Sequence, residues 1–183
     1  GDAGRVRFRV GEDDPAPAPG RPTAVAYGDG KRYVADAASG TIKRYDRSGR
    51  FTDEIGADLE SRLGYVGGMA LVNGSLVLAE SDSDRVFRLD VETGERAELC
   101  PGTQALPRGI GSMGERGVAI TEVLGSVVYL CDAHGTRTRT VEAASVPDAM
   151  LASPEGVAWR EKTDRLYVTD PDQGRVVVIN VRM

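Results

Sequence analysis

Four stretches of this chain repeat one another in register, and that repeat constrains the fold more than any other feature. Residues 22–26 (PTAVA), 66–70 (VGGMA), 107–111 (PRGIG) and 154–158 (PEGVA) are alike. Each is followed by a turn and a short apolar run that ends in an acid: Asp36, Glu80, Glu122 and Asp170, spaced 44, 42 and 48 residues apart. Ten residues beyond each acid stands Asp46, Asp90, Asp132 or Asn180. A unit of this length cannot bury both of its own faces, so like units must stack on one another.

Within each unit the residues read as strands. Gly28-Asp29-Gly30 and Asn73-Gly74 supply positive φ for tight hairpin turns, as do Gly114 and Gly117 in the third unit. The third runs, 41–45, 85–89, 127–131 and 175–179, are rich in β-branched and aromatic residues. Asp46, Asp90 and Asp132 then turn the chain again, each followed by a glycine three or four residues on. Fourth strands follow at 51–55, 96–99 and 136–141. No long stretch has a 3.6-residue period, which excludes a helical solenoid; residues 58–63 have room for one helical turn.

Repeated four-stranded units of 40–50 residues predict an all-β fold, a β-propeller of four blades of four antiparallel strands. One domain, 1–183, is expected, with blades at 21–56, 65–100, 106–141 and 153–183. The fourth unit stops after its third strand. Residues 5–10 (RVRFRV) alternate polar and apolar, as a half-buried edge strand does. They are expected to supply the missing outer strand and close the ring, with 11–20 as the linker. Membership of a six-bladed ring, or completion by a partner, is the alternative.

Composition narrows the function classes. At 183 residues, 40% hydrophobic and 28% charged, the chain has the make-up of a globular, soluble domain. A net charge of −5 with scattered arginines disfavours nucleic acid and anionic membranes as partners. No apolar run reaches the length of a membrane-spanning helix. No leader is visible and a cytoplasmic location is favoured, although a chain beginning at Gly1 could have lost one. The only lysines are Lys31, Lys43 and Lys162, a bias of GC-rich, bacterial genomes. Cys100 and Cys131 match no metal spacing and read as two buried thiols in preference to a disulfide. The single histidine, His134, lies in the turn after Asp132, which excludes a multi-histidine metal site and disfavours a Ser-His-Asp triad. Neither Gly-x-Gly precedes a helix, so no phosphate loop is expected.

The pattern Pro-x-Gly-Val-Ala, then Leu-Tyr-Val-x-Asp, then Gly-Arg-Val resembles the repeat of NHL-type propellers and of the related SMP-30/gluconolactonase and strictosidine-synthase-like propellers. The resemblance covers residues 21–183. Residues 155–159 (EGVAW) are similar to an SMP-30 motif whose glutamate ligates a metal, which would make Glu155 a ligand for calcium. The asparagine ligand of that family is replaced here by Arg108, with Thr23 and Gly67 at the like positions of the other repeats. No metal or other cofactor is therefore expected, with calcium as the alternative.

In a propeller the inner strand begins, and the second strand ends, on one face of the disc. Thr23, Gly67, Arg108 and Glu155 should surround the channel mouth there, inside a wider circle of Asp36, Glu80, Glu122 and Asp170. Such a face suits a small molecule or peptide. The plain structural reading of the four acids is that they tie down turns; that of Arg108 and Glu155 is an ion pair, with ligand anchors or acid–base residues as the alternative. Tyr27, Tyr65 and Met69 read as core or mouth residues, Trp159 and Tyr167 as core. The segment 142–153 could form a lid. A binding module is the first functional expectation, and an enzyme hydrolysing or cyclising a small metabolite, with Glu155 and Arg108 as its catalytic residues, the second.

Overall fold

The computed structural model describes residues 19–56, 62–102, 105–142 and 151–181. They form four antiparallel sheets in chain order, three of four strands and one of three. Blade 1 comprises β1 (Pro22–Gly28), β2 (Lys31–Asp36), β3 (Thr41–Tyr45) and β4 (Phe51–Ile55). Blade 2 comprises β5 (Val66–Val72), β6 (Ser75–Glu80), β7 (Arg85–Asp90) and β8 (Arg96–Glu98). Blade 3 comprises β9 (Pro107–Ser112), β10 (Val118–Glu122), β11 (Val127–Cys131) and β12 (Arg137–Glu142). Blade 4 has β13 (Val157–Arg160), β14 (Arg165–Asp170) and β15 (Arg175–Asn180). Every predicted strand within the described residues is present to within about two residues, except that β13 begins three residues after the expected 154. The expected closing strand 5–10, the linker 11–18 and most of the expected helical turn and lid lie outside them.

Register follows the repeat. Asp36 pairs with Thr41, Glu80 with Arg85, Glu122 with Val127 and Asp170 with Arg175. The turns use the expected chemistry: Asp46, Asp90 and Asp132 each accept backbone N–H bonds from within their own turn. Those bonds, together with the Ser48 hydroxyl on Asp46, hold the three carboxyls below their ordinary range.

Alternation along each strand sends one set of side chains to each face, and the faces of successive sheets pack together. Ala26, Tyr33, Ala35 and Ile42 of blade 1 meet Met69, Leu76, Leu78 and Leu89 of blade 2. Ala70, Val72, Val77 and Val86 on the other face of blade 2 meet Ile110, Val118 and Ile120 of blade 3. Ala119, Val128 and Leu130 then meet Leu166, Val168, Val177 and Ile179 of blade 4. The inner strands β1, β5, β9 and β13 lie side by side in that order. Their spacing is set by small residues: a Cβ on Gly68 would overlap the Arg108 carbonyl oxygen and stand 2.8 Å from the Ile110 nitrogen.

Two expectations are corrected. The four blades make an open arc, because the outer faces of blades 1 and 4 leave Val25, Tyr27, Val176 and Val178 exposed where a closed four-bladed ring would bury them. Closure depends on the angle between blades, which no local motif encodes. Cys100 and Cys131 are joined in a disulfide, and both are buried. Cys100 follows β8 and donates its N–H to Gly135 O at 2.9 Å. That bond sets the end of blade 2 against blade 3, so residues 31 apart in sequence meet across a blade interface that cysteine spacing does not reveal.

Candidate functional site

The segments leading into the inner strands converge at one end of the arc, and the repeat acids hold them there. Asp36 accepts from Gly20 N at 3.0 Å, Arg21 N at 2.8 Å and Ala38 N at 3.1 Å. Its Oδ2 also lies 3.1 Å from Lys43 Nζ, and both side chains are buried. Burial opposes its ionisation, but those N–H donors and the ammonium outweigh it and hold Asp36 well below the usual carboxylate range. Glu80 accepts from Gly64 N at 2.7 Å and from the Ser83 hydroxyl. Asp170 accepts from Ser153 N at 2.9 Å and pairs with Arg175 at 3.3 Å. Glu122 is buried beside the Gly125 turn. Asp36, Glu80 and Asp170 thus each hold one or two backbone N–H groups within the five residues that precede the inner strand of their own blade.

The groups so fixed differ in kind from the expected acidic circle. Arg21, held by Asp36, and Arg108 both place their guanidinium carbons over the Tyr65 ring, 5.7 and 5.5 Å from its centroid. Tyr65 is positioned by Glu80 through Gly64 and by Asp82, whose Oδ2 accepts the Tyr65 N–H at 2.9 Å. Gly67 makes room for this arrangement, since a Cβ there would sit 3.2 Å from Arg108 Cδ. Tyr65 is therefore a mouth residue. The one trace of it in sequence was the glycine at position 67, where a Cβ would crowd the Arg108 side chain. Met69 belongs to the core, and Tyr27 is exposed on the outer face of blade 1.

Arg108 and Glu155 stand on adjacent blades at the same end, as the repeat requires, but they form no ion pair; Arg108 stacks on Tyr65 instead. Glu155 is half-buried and its backbone is tightly held. Thr121 Oγ1 accepts from Gly109 N at 2.7 Å and donates to Glu155 O at 2.6 Å. This hydroxyl rivets the blade that carries Arg108 to the segment that carries Glu155. Among the described residues no three His, Cys, Asp or Glu side chains are placed to share a metal ion. The calcium set implied by the SMP-30 resemblance does not fit, because a guanidinium occupies one ligand position.

At the opposite end, the exposed His134 borders a cleft of ≈ 270 Å³ between blades 3 and 4, with Met113, Arg116 and Trp159. Arg116 lies over the Trp159 ring at 5.5 Å and pairs with Asp164 at 2.7 Å. The one histidine is thus remote from the Arg108 mouth.

No protein-family model matches the sequence, and no curated protein sequence matches it. Solved structures resemble it in fold. The computationally designed Ika4 protein superposes with a TM-score of 0.65 at 18% identity, over 88% of this chain and 91% of Ika4. The designed Ika8 protein gives 0.64 at 16% identity, over 87% of this chain and 46% of Ika8. Virginiamycin B lyase from Staphylococcus aureus gives 0.62 at 18% identity, over 88% of this chain and 55% of the lyase. The chain thus spans about half the length of the last two. With the four sheets packed face to face around their inner strands, these likenesses show that the chain has a β-propeller fold.

Proposed function

We propose that the chain is a binding module that takes a small anionic molecule, with an aromatic or other planar body, at the mouth formed by Arg21, Tyr65, Arg108 and Glu155. The observation that carries this reading is the pair of guanidinium groups on one tyrosine ring. Among the described residues neither Arg21 nor Arg108 is engaged by a carboxylate. The repeat acids Asp36, Glu80 and Asp170 are spent on backbone N–H groups and position the mouth. A guanidinium that is pre-oriented on a ring offers its planar fork to a carboxylate or phosphate, and the tyrosine face supports a planar group. Glu155 can accept from a ligand hydroxyl or amine. The Cys100–Cys131 disulfide supports an oxidising compartment in place of the cytoplasmic expectation.

Calorimetric titration with benzoate and with inorganic phosphate tests this. Arg108→Ala is expected to weaken binding of the responding anion at least about tenfold, a loss of roughly 1.5–3 kcal/mol for a charge-assisted hydrogen bond. Unchanged binding by both Arg108→Ala and Glu155→Ala removes the assignment.

An enzymatic reading is favoured by one observation, the structural likeness to virginiamycin B lyase. A His-to-Ala variant of that lyase, catalytically inactive, has been solved with quinupristin. Here Glu155 is the carboxylate set beside Arg108 at the mouth, while His134 lies at the far end. Turnover of a lactone or cyclic ester that is lost in Glu155→Gln supports this reading; turnover that survives the substitution removes it.

A further inference from the structure

The outer faces of blades 1 and 4 are the two halves of a joint that the chain makes three times internally. Third-strand residues Ile42, Val86, Val128 and Val176 occupy one register position, each one residue past the partner of the repeat acid. The first three are 0% exposed beneath the next blade, and Val176 is 58% exposed. Inner-strand residues Met69, Ile110 and Val157 each pack on the preceding blade. Val25 holds the same position in blade 1 and is 66% exposed, with Tyr27 beside it at 62%. An apolar groove of ≈ 380 Å³ runs along this face, lined by Pro22, Thr23, Val25 and Val34.

The polar part of the joint is also left half made. In blade 3, Thr121 Oγ1 accepts from Gly109 N and donates to the backbone carbonyl of Glu155 in the next blade. In blade 4, Thr169 Oγ1 accepts from Gly156 N at 2.7 Å in the same way. Among the described residues no blade stands beyond it; Thr169 is exposed, and its hydroxyl reaches only the carbonyl of Gly156 in its own blade, at 3.5 Å. The carbonyl equivalent to that of Glu155 is that of Thr23, on the bare face of blade 1.

We propose that the chain pairs head to tail with a second copy, blade 4 of each seating on blade 1 of the other, so that two chains close one ring of eight blades. The occupant is a second copy because this chain carries both complementary faces, knob and socket, in the register of its own internal interfaces. Two copies are proposed because the four blades cover 46% of Ika8 and 55% of the lyase, about half of each chain, while Ika4, of which they cover 91%, is a chain of like extent. In the ring, Val25 of the second copy fills the space over Val176 and Ala158, and Thr169 donates to its Thr23 carbonyl. Isolated surface hydrophobes are ordinary, but matched apolar faces of this kind mark association surfaces. The inference is independent of what the mouth binds.

Sedimentation or light scattering of the 183-residue chain, at up to about 100 µM, tests it. The expected mass is twice the 19.5 kDa of one chain. Val25→Arg and Val176→Arg should each halve that mass while the circular dichroism of the strands is retained. An equimolar mixture of the two variants should recover the doubled mass, because one of its two joints then brings together an unaltered Val25 and an unaltered Val176. If either arginine variant unfolds, Tyr27→Ser and Val178→Ser provide the same pair of arms. A wild-type chain that stays at 19.5 kDa overturns the proposal, as do species larger than two copies or variants that fail to complement.

Discussion

Replacing Thr121 by valine keeps the shape of the side chain and deletes its hydroxyl, and the structure sets the cost. Thr121 is fully buried. Its Oγ1 serves Gly109 N at 2.7 Å and Glu155 O at 2.6 Å. The substitution forfeits two hydrogen bonds worth about 1 kcal/mol each and leaves a buried N–H without a partner, at roughly 1–3 kcal/mol, and a part-buried carbonyl at less. These figures overlap, since the loss of a bond includes part of the stranding. The added methyl returns about 1 kcal/mol. A net destabilisation of about 2–4 kcal/mol is expected. Urea denaturation followed by circular dichroism reads this as a midpoint lowered by about 1–2 M, for a slope near 2 kcal/mol per M. Thr121→Ser, which keeps the hydroxyl, should lose only the methyl contribution, about 1 kcal/mol. A valine variant within about 0.5 kcal/mol of the wild type, or a serine variant as damaged as the valine one, refutes the rivet between blades 3 and 4.

Reduction of the disulfide, or Cys100→Ser with Cys131→Ser, should lower stability by about 3–4 kcal/mol, the loop-closure value for a separation of 31 residues; thiol titration of the unreduced, unfolded chain should find no free thiol. Asp36→Asn removes the carboxylate nearest the buried Lys43 ammonium, which keeps Glu54 at 3.7 Å, and should cost about 1–3 kcal/mol at neutral pH. The folded-state carboxyl is held below its unfolded value of about 3.9. Its stabilisation is therefore complete above about pH 4 and is lost as pH falls through the folded-state value. Chemical denaturation at pH 7 and pH 3 should show the wild-type advantage over Asp36→Asn shrinking in acid; an advantage that grows in acid contradicts the assignment.

The strands were legible because their signals are local. The β-branched and aromatic content of 41–45 and 85–89, the Asn73-Gly74 turn and the Asp46, Asp90 and Asp132 turns all act within a few residues, and each landed where the repeat placed it. The convergence of Arg108 and Glu155 was legible for the same reason, since equal registers put equal positions at one end of the arc. What they do there was not. The expected ion pair gave way to stacking of Arg108 on Tyr65; Gly67 leaves room for the Arg108 side chain, and a missing side chain leaves only an indirect trace in sequence. The repeat acids read first as residues that tie down turns, and Asp36, Glu80 and Asp170 do accept backbone N–H groups; which groups they take depends on where residues 20–21, 64 and 152–153 return in space. The disulfide and the open arc were illegible because both are set by how whole blades pack and by the angle between them.

The central claim is that the repeats pack as successive blades whose inner strands lie side by side. Nuclear Overhauser contacts between adjacent inner strands, in the isotope-labelled chain, test it most directly. Contacts are predicted between Gly68 Hα and the Ile110 amide and between Gly109 Hα and the protons of residues 155–156, alongside the pairing of strands within each sheet. Intact pairing within sheets, without any contact from β5 to β9 or from β9 to the start of blade 4, would show that the sheets form but do not surround a common mouth.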